Sequence, residues 1–410
     1  VAAGRRRDAT ADAGFVPAGN VRALVLATLA FTVCFYAWSM LGPLGPDLQD
    51  LMGLTDVELA VVIAVPVLLG SLMRIPLGLL TDRYGGRRVF TGLMVFTLLP
   101  LTALAIWHDS LPAVVGIGFF LGFAGASFAI GVPFVSEWYP RARQGTALGV
   151  YGMGMGGTVL GGLTAPRISD HWGLTAPFVV AIVLLAVMAV VFWLFARDAP
   201  VRRRVSGGML APLRIFRTQP AAWAPTFYYF VVFGGFVAMF AYLPKLLHGV
   251  HHLDKPDAAA RAAGFALVAV VARPVGGWLA DRIGPQMVLR MSFAGTVLLA
   301  ALLGPFYDQM VPLTILALTL AGAFGLGTGA VFKLVAQDFP DSVGAVTGVV
   351  GAAGGLGGFF PPLVMALVKS LTGSYTIGFL LLAATAVAAL VVLQVMSRPS
   401  RPHASRAAVA

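Results

Sequence analysis

Twelve apolar runs follow one another through this chain, at about 23–44, 57–81, 88–107, 112–136, 144–166, 175–196, 222–247, 260–280, 286–304, 311–335, 343–368 and 375–396. Each is close to the roughly 20 residues that a helix needs to cross a bilayer. A soluble core cannot absorb them: 59% of the 410 residues are hydrophobic and only 11% are charged, against about 25% charged in an ordinary soluble domain. In lipid every backbone N–H and C=O needs an internal partner, which favours helices for spans of this length. The sequence therefore predicts an all-α membrane protein with twelve transmembrane helices. Abundant Gly (49) and Pro (26) fit, because both are better tolerated in membrane helices than in soluble ones.

An even number of spans puts both ends on one side, and the basic residues say which. Arg5, Arg6, Arg7, Arg22, Arg83, Arg87, Arg88, Arg141, Arg143, Arg197, Arg202, Arg203, Arg204, Arg214, Arg217, Arg282, Arg290, Arg398, Arg401 and Arg406 all fall in the tails and in one set of loops. The opposite loops hold little beyond Lys255 and Arg261. Both termini are therefore expected in the cytoplasm, with the chain multi-pass in the cytoplasmic (inner) membrane. The net charge of +11 is a topology signal and calls for no nucleic acid. Residues 1–22 read as a cytoplasmic tail rather than a cleaved signal, and 397–410 as another. The lone Cys34 cannot form an intrachain disulfide and reads as a packing residue.

The longest polar stretch, 197–221, follows the sixth run. It divides the chain into two six-helix bundles, 23–196 and 222–396, joined by a cytoplasmic linker. An internal repeat supports that division. "RIPLGLLTDRYG" (74–85) matches "RPVGGWLADRIG" (273–284) at an offset of 199. "GTALGVYGMGMGG" (145–157) parallels "GAVTGVVGAAGGLGG" (344–358) at the same offset, with Gly145/Gly344, Gly149/Gly348, Gly152/Gly351 and Gly156/Gly355 coinciding. Duplicated halves around a central path are common in secondary transporters.

Arg74 and its twin Arg273 are the candidate functional residues. Each lies eight residues before an aspartate, Asp82 or Asp281, that marks a helix end. At 1.5 Å per residue that is about 12 Å into the membrane, close to the roughly 15 Å half-thickness of the hydrocarbon. A cation there costs at least about 2.5–3.5 kcal/mol on insertion scales, and two cations facing one cavity repel. A buried ion pair would offset the cost, but the central thirds of the spans contain no Asp or Glu. Asp47, Glu58, Glu137, Asp338 and Asp341 sit near helix ends. The remaining partner is a substrate. A guanidinium fork matches a planar oxyanion bidentately.

"GLLTDRYGGRR" (78–88) resembles the signature loop of the major facilitator superfamily, and "GGWLADRIG" (276–284) its second-half copy. "GFAGASFAIGVPFVSEWYPRARQGTALGVYGMGMGG" and "GAVFKLVAQDFPDSVGAVTGVVGAAGGLGGFFPP" resemble the paired glycine-rich signatures of the nitrate/nitrite porter family. "FYYFVVFGGFVAMFAYLPKLL" (227–247) is similar to that family's seventh span. The resemblance implies the major facilitator fold, with two pseudo-symmetric bundles. It implies nitrate or nitrite clamped between Arg74 and Arg273, walled by Tyr229, Phe233 and Phe128. The backbone around Gly152, Gly351, Gly354 and Gly355 would help surround the anion. In the first signature the family has an Asn at the anion site where this chain has Met155, a departure that bears on selectivity. Asp82, Arg83, Arg87 and Arg88, with Asp281 and Arg282 in the second copy, would form a latch that changes partners as the halves rock.

The resulting expectation is a secondary active transporter working by alternating access. Coupling is either nitrate/nitrite exchange, favoured by two like charges in the empty site, or proton symport, which usually needs a titratable group where no mid-span carboxylate or histidine presents itself. The alternatives are a major facilitator carrier for another small or organic anion or a drug, and a non-transporting membrane sensor. An enzyme is not expected: no phosphate-cradling loop and no nucleophile with its base can be assembled. The chain is expected to need no cofactor and to act as a monomer surrounded by membrane lipid. Lys333 reads as snorkelling to the interface or lining a vestibule. His248, His251 and His252 read as solvated loop residues.

Overall fold

A computed structural model describes residues 19–200 and 210–396. Arg5, Arg6, Arg7, Arg202, Arg203, Arg204, Arg398, Arg401 and Arg406, which carry part of the topology argument, lie outside the described residues. The described chain is helical throughout, with no strand among those residues. Ten of its helices are long and apolar enough to cross a membrane. They include α1 (Val21–Trp38), α2 (Asp56–Tyr84), α3 (Gly86–Ile106), α4 (Leu111–Ser136) and, after α5 (144–172), α6 (Thr175–Phe195). In the second half these are α7 (Trp223–His251), α8 (Lys255–Ile283), α9 (Pro285–Phe306), α10 (Met310–Asp338) and α12 (Thr376–Met396). The two remaining crossings are α5 (144–172), broken by a 3₁₀ turn at Met153–Gly156, and α11 (Val343–Thr372).

Helix ends differ from the hydropathy reading where polar caps act. α2 starts at Asp56 because Thr55 and Glu58 form a reciprocal capping box. α8 starts at Lys255 because the Asp254 side chain accepts from the Asp257 N–H at 2.7 Å. Such caps satisfy N–H groups that the first helical turn leaves unpaired, so polar residues can extend an apolar span. α1 instead stops early. "SMLGPLGP" breaks the ladder, and a short helix, Gly45–Met52, follows before Gly53 ends it at φ 64°.

The duplication is visible in the backbone. α2 and α8 are each 29 residues long, and both of their ends differ by the same 199 positions as the sequence repeat. Gly85 (φ 93°, ψ 151°) and Gly284 (φ 84°, ψ 145°) make the same sharp turn after them. A side chain would be strained in that conformation, which accounts for the repeated glycine.

The halves meet along two crossings, α2 on α11 and α5 on α8. Glycine permits both. A Cβ on Gly348 would come within 2.6 Å of the Arg74 carbonyl, and one on Gly149 within 2.6 Å of the Arg273 carbonyl. Gly78 and Gly344 exclude side chains against each other's backbone, as do Gly277 and Gly145. Small residues at these positions let the backbones touch, the usual route to tight helix packing in lipid. The crossings bring both arginines to the boundary between the halves.

Candidate functional site

Arg74 and Arg273 each occupy the nineteenth position of their helix, ten residues short of its end. At 1.5 Å per residue this is about 15 Å from the basic end of the molecule, the end that carries Arg83, Arg141 and Arg282. Both side chains are buried, at 3% and 4% exposure. The described buried polar residues include serines, threonines, Gln144 and Lys333, and the Asp281 carboxylate, whose side chain is also buried, is paired with Lys333. The two guanidiniums therefore lack a buried carboxylate of the kind that would make them a structural ion pair.

Each arginine reaches across to the other half's glycine helix. Arg74 Nη1 donates to the Gly351 carbonyl at 2.5 Å, and Arg273 Nη1 donates to the Gly152 carbonyl at 3.2 Å. The donors and the acceptors are each 199 apart, so the pairing is reciprocal. The glycines let the guanidiniums lie against the backbone: a Cβ on Gly351 would sit 3.0 Å from Arg74 Cδ, and one on Gly152 3.2 Å from Arg273 Nη1.

The symmetry then breaks. α4 contains a 3₁₀ turn at Gly122–Ala126, and Arg74 Nε donates to the Gly125 carbonyl within it at 3.3 Å. A 3₁₀ turn departs from the regular α-helical ladder. α10, the counterpart of α4, is α-helical throughout. Arg273 Nη2 is left buried without a well-formed hydrogen bond, with the Tyr229 side chain beside the guanidinium. A charged donor without a good acceptor is costly in a dry interior, so the site is short of one well-placed acceptor at this atom.

Aromatic rings wall the site. Both guanidinium carbons lie over the Phe233 ring, Arg74 Cζ at 5.8 Å and Arg273 Cζ at 5.5 Å from its centroid. Tyr229 stacks parallel on Phe233 at 4.9 Å, and Phe128 stacks parallel to Tyr229 at 6.3 Å. Phe128 belongs to α4 and the other two to α7, so this row of rings crosses from one half to the other. A Cβ on Gly354 would collide with Tyr229, and one on Gly355 with Ser71. These glycines leave room for side chains at the site as well as for helix packing.

The remaining expected residues are placed by their own helices. Met155 is buried in the 3₁₀ turn of α5, just after Gly152. Among the expected latch residues, Asp82 accepts from the Gly344 and Ala345 N–H groups at 3.0 and 2.9 Å, and Asp281 from those of Gly145 and Thr146 at 2.8 and 2.7 Å. These aspartates tie the halves together by capping the start of the opposite glycine helix. Arg87 packs within its own half, over Trp193 at 4.4 Å and with its backbone N–H on Asp198. Arg83 lies over the neighbouring Tyr84 ring and Arg282 over Trp278. Arg88 is exposed.

Two residues have roles the sequence reading missed. Phe332 of α10 stands edge-on to both Phe128 (4.6 Å) and Tyr229 (4.7 Å), closing the aromatic row toward the basic end. Its counterpart in the first half is Pro133, so the repeat gives no signal for it. Lys333 does not snorkel. It is 4% exposed and forms an ion pair with Asp281 at 3.0 Å, while also donating to the Arg141 carbonyl. The carboxylate offers the ammonium a partner that it would otherwise have to seek at the interface. His248 and His251 each engage a backbone carbonyl, of Leu253 and Tyr307.

Comparison with known proteins identifies the family. The Major Facilitator Superfamily profile matches residues 27–362 and, in a second match, 258–409. The "Probable nitrate/nitrite transporter NarK2" of Mycobacterium tuberculosis is 44% identical over 95% of this chain and 100% of its own length. The "Nitrite extrusion protein" of Bacillus subtilis is 38% identical over 90% of this chain and 93% of its own. The "Probable nitrate transporter NarT" of Staphylococcus carnosus is 36% identical over 92% and 96%. Among solved structures, the human organic anion transporter MFSD10 superposes with a TM-score of 0.76 at 16% identity, covering 91% of this chain and 99% of that one. FucP in its outward conformation gives 0.74 at 17% identity over 92% and 98%; at such identities the likeness speaks to the fold. With its long apolar helices in two matched halves and its relatives aligned over nearly their whole length, this multi-pass membrane protein belongs to the Major Facilitator Superfamily and, within it, to the nitrate/nitrite porter family.

Proposed function

We propose that the chain is a secondary carrier, not an enzyme, that moves nitrate and nitrite across the cytoplasmic membrane by alternating access. The anion lies between Arg74 and Arg273, with Phe233, Tyr229, Phe128 and the backbone around Gly152, Gly351, Gly354 and Gly355 around it. The observation that carries this reading is the buried Arg273 Nη2 without a well-formed hydrogen bond, beside a second buried arginine. A planar oxyanion supplies that acceptor and opposes both charges at once. The names of the relatives point to the same substrates.

In this mechanism the halves, residues 23–196 and 222–396, rock about the site with 197–221 and both tails on the cytoplasmic side. The Asp82 and Asp281 caps release the glycine helices when the basic end opens, with Arg83, Arg87, Arg88 and Arg282 available as new partners. The empty site holds two like charges, so its closure is costly; a bound anion lowers that cost. This favours exchange, in which the carrier moves readily only when loaded. The described buried residues offer no carboxylate or imidazole as a proton carrier at the arginines, which weighs against symport.

The test is uptake of labelled nitrate and nitrite into proteoliposomes, with and without internal anion and with an imposed pH gradient. Uptake that requires internal anion supports exchange, and uptake driven by the pH gradient supports symport. Failure to take up either anion under all conditions would overturn the proposal.

A further inference from the structure

A second positively charged recess lies at the basic end, away from the arginine site. It has a volume of about 530 Å³. Arg141 from the loop between α4 and α5, Arg290 from α9 and Lys333 from α10 line it, together with the amides of Gln286 and Gln337. Asp281 is the one carboxylate among its lining residues. That carboxylate is already engaged by Lys333, by the Gly145 and Thr146 N–H groups and by the Thr146 hydroxyl. The recess is left with an excess of positive charge.

Arg290 shows the need most directly. Its Nε is buried and has no hydrogen-bond partner. It is the sixth residue of α9, about 8 Å along the helix from its start. The repeated scaffold does not explain it. At an offset of 199, Arg290 corresponds to Thr91, Lys333 to Phe134 and Arg141 to Pro340, so the cationic recess, lined from both halves, has no copy at the repeat-related position.

The wall is amphipathic. Ile283 and Met287 line the same recess and are 48% and 45% exposed. Trp278, on the turn before, is 42% exposed with Arg282 stacked over its ring at 4.4 Å. A soluble anion has no use for exposed apolar side chains beside its site. A lipid does: its phosphate meets the cations while its chains cover the apolar residues. Basic pockets between membrane helices recognise anionic headgroups in this way.

We propose that this recess binds the phosphate of an anionic phospholipid, whose acyl chains lie along Ile283 and Met287. Native mass spectrometry of the full chain, released from micelles of mixed phosphatidylglycerol and phosphatidylcholine, tests this. The wild type retains phosphatidylglycerol in preference. Arg290→Gln lowers that retention by about fivefold, the effect of about 1 kcal/mol for each basic residue near a membrane surface. Gln337→Glu, at an exposed rim position, lowers it too and does not depend on the buried Arg290 for folding. Equal retention of the two lipids, unchanged retention in Gln337→Glu, or displacement of the lipid by millimolar inorganic phosphate would each overturn the proposal, the last by showing a site for a free anion.

Discussion

The Lys333 ammonium lies 3.0 Å from the Asp281 carboxylate, and both side chains are 6% exposed. Asp281 also caps the start of α5, so this pair joins α8, α10 and the opposite half at one point. Removing one member of a buried pair leaves the other charge uncompensated, at a cost of about 3–5 kcal/mol. Lys333→Met should lower the thermal unfolding temperature in detergent clearly, and Lys333→Met with Asp281→Asn should recover much of the loss. A single variant that unfolds with the wild type would show that the pair contributes nothing.

Arg74→Lys and Arg273→Lys keep the charge and lose the planar fork. The ammonium cannot hold a glycine carbonyl and an oxyanion in the same geometry. Losing a charge-assisted hydrogen bond worth about 1.5–3 kcal/mol weakens binding by about 10-fold to 150-fold. Calorimetric titration of nitrate into the purified variants reads this directly. Wild-type affinity in both would remove the bidentate clamp from consideration.

The spans and the duplication were legible because lipid imposes a length on every apolar run and because Arg74/Arg273 and Gly152/Gly351 keep one offset. The position of each arginine along its helix was legible too, since Asp82 and Asp281 fall near the helix ends. What stayed hidden depended on contacts that break the repeat. The Arg74–Gly125 bond requires a 3₁₀ turn in α4 that hydropathy does not register. Phe332 acts through its approach to Phe128 and Tyr229, and Lys333 through Asp281, all distant in sequence, and the first half has Pro133 and Phe134 at the corresponding positions. Glycine spacing announced close packing but did not say which backbone each glycine would meet.

Gly348→Val tests the crossing of α2 and α11. The new side chain would meet the Arg74 carbonyl, where a Cβ already comes within 2.6 Å. Overpacking of this kind costs about 1–3 kcal/mol, and here the cost falls on the conformation in which the helices touch. Transport should drop severely while membrane insertion persists. Gly92→Ala, at a position with nothing within 4 Å, is the control and should leave transport unchanged. A transporting Gly348→Val variant would show that the crossing is dispensable.

Met155→Asn tests the departure from the family pattern. Met155 is 5% exposed and sits in the α5 turn that begins just after Gly152, the carbonyl partner of Arg273. An amide there supplies donors that a thioether lacks. Nitrate affinity measured by titration should rise. An unchanged affinity would place position 155 outside the anion's reach.

Phe233→Leu separates the two ways of offsetting the paired cations. Both guanidiniums lie over this ring, and each such contact is worth about 0.5–2 kcal/mol through the negative face of the ring. Leucine keeps the site apolar and removes that face. In the anion-free protein the repulsion between Arg74 and Arg273 is then less opposed, so the unfolding temperature should fall. With saturating nitrate the anion carries out the neutralisation, and the gap between variant and wild type should narrow. Thermal unfolding of both proteins, with and without nitrate, measures the difference. An equal loss under both conditions would mean that the ring contributes only packing.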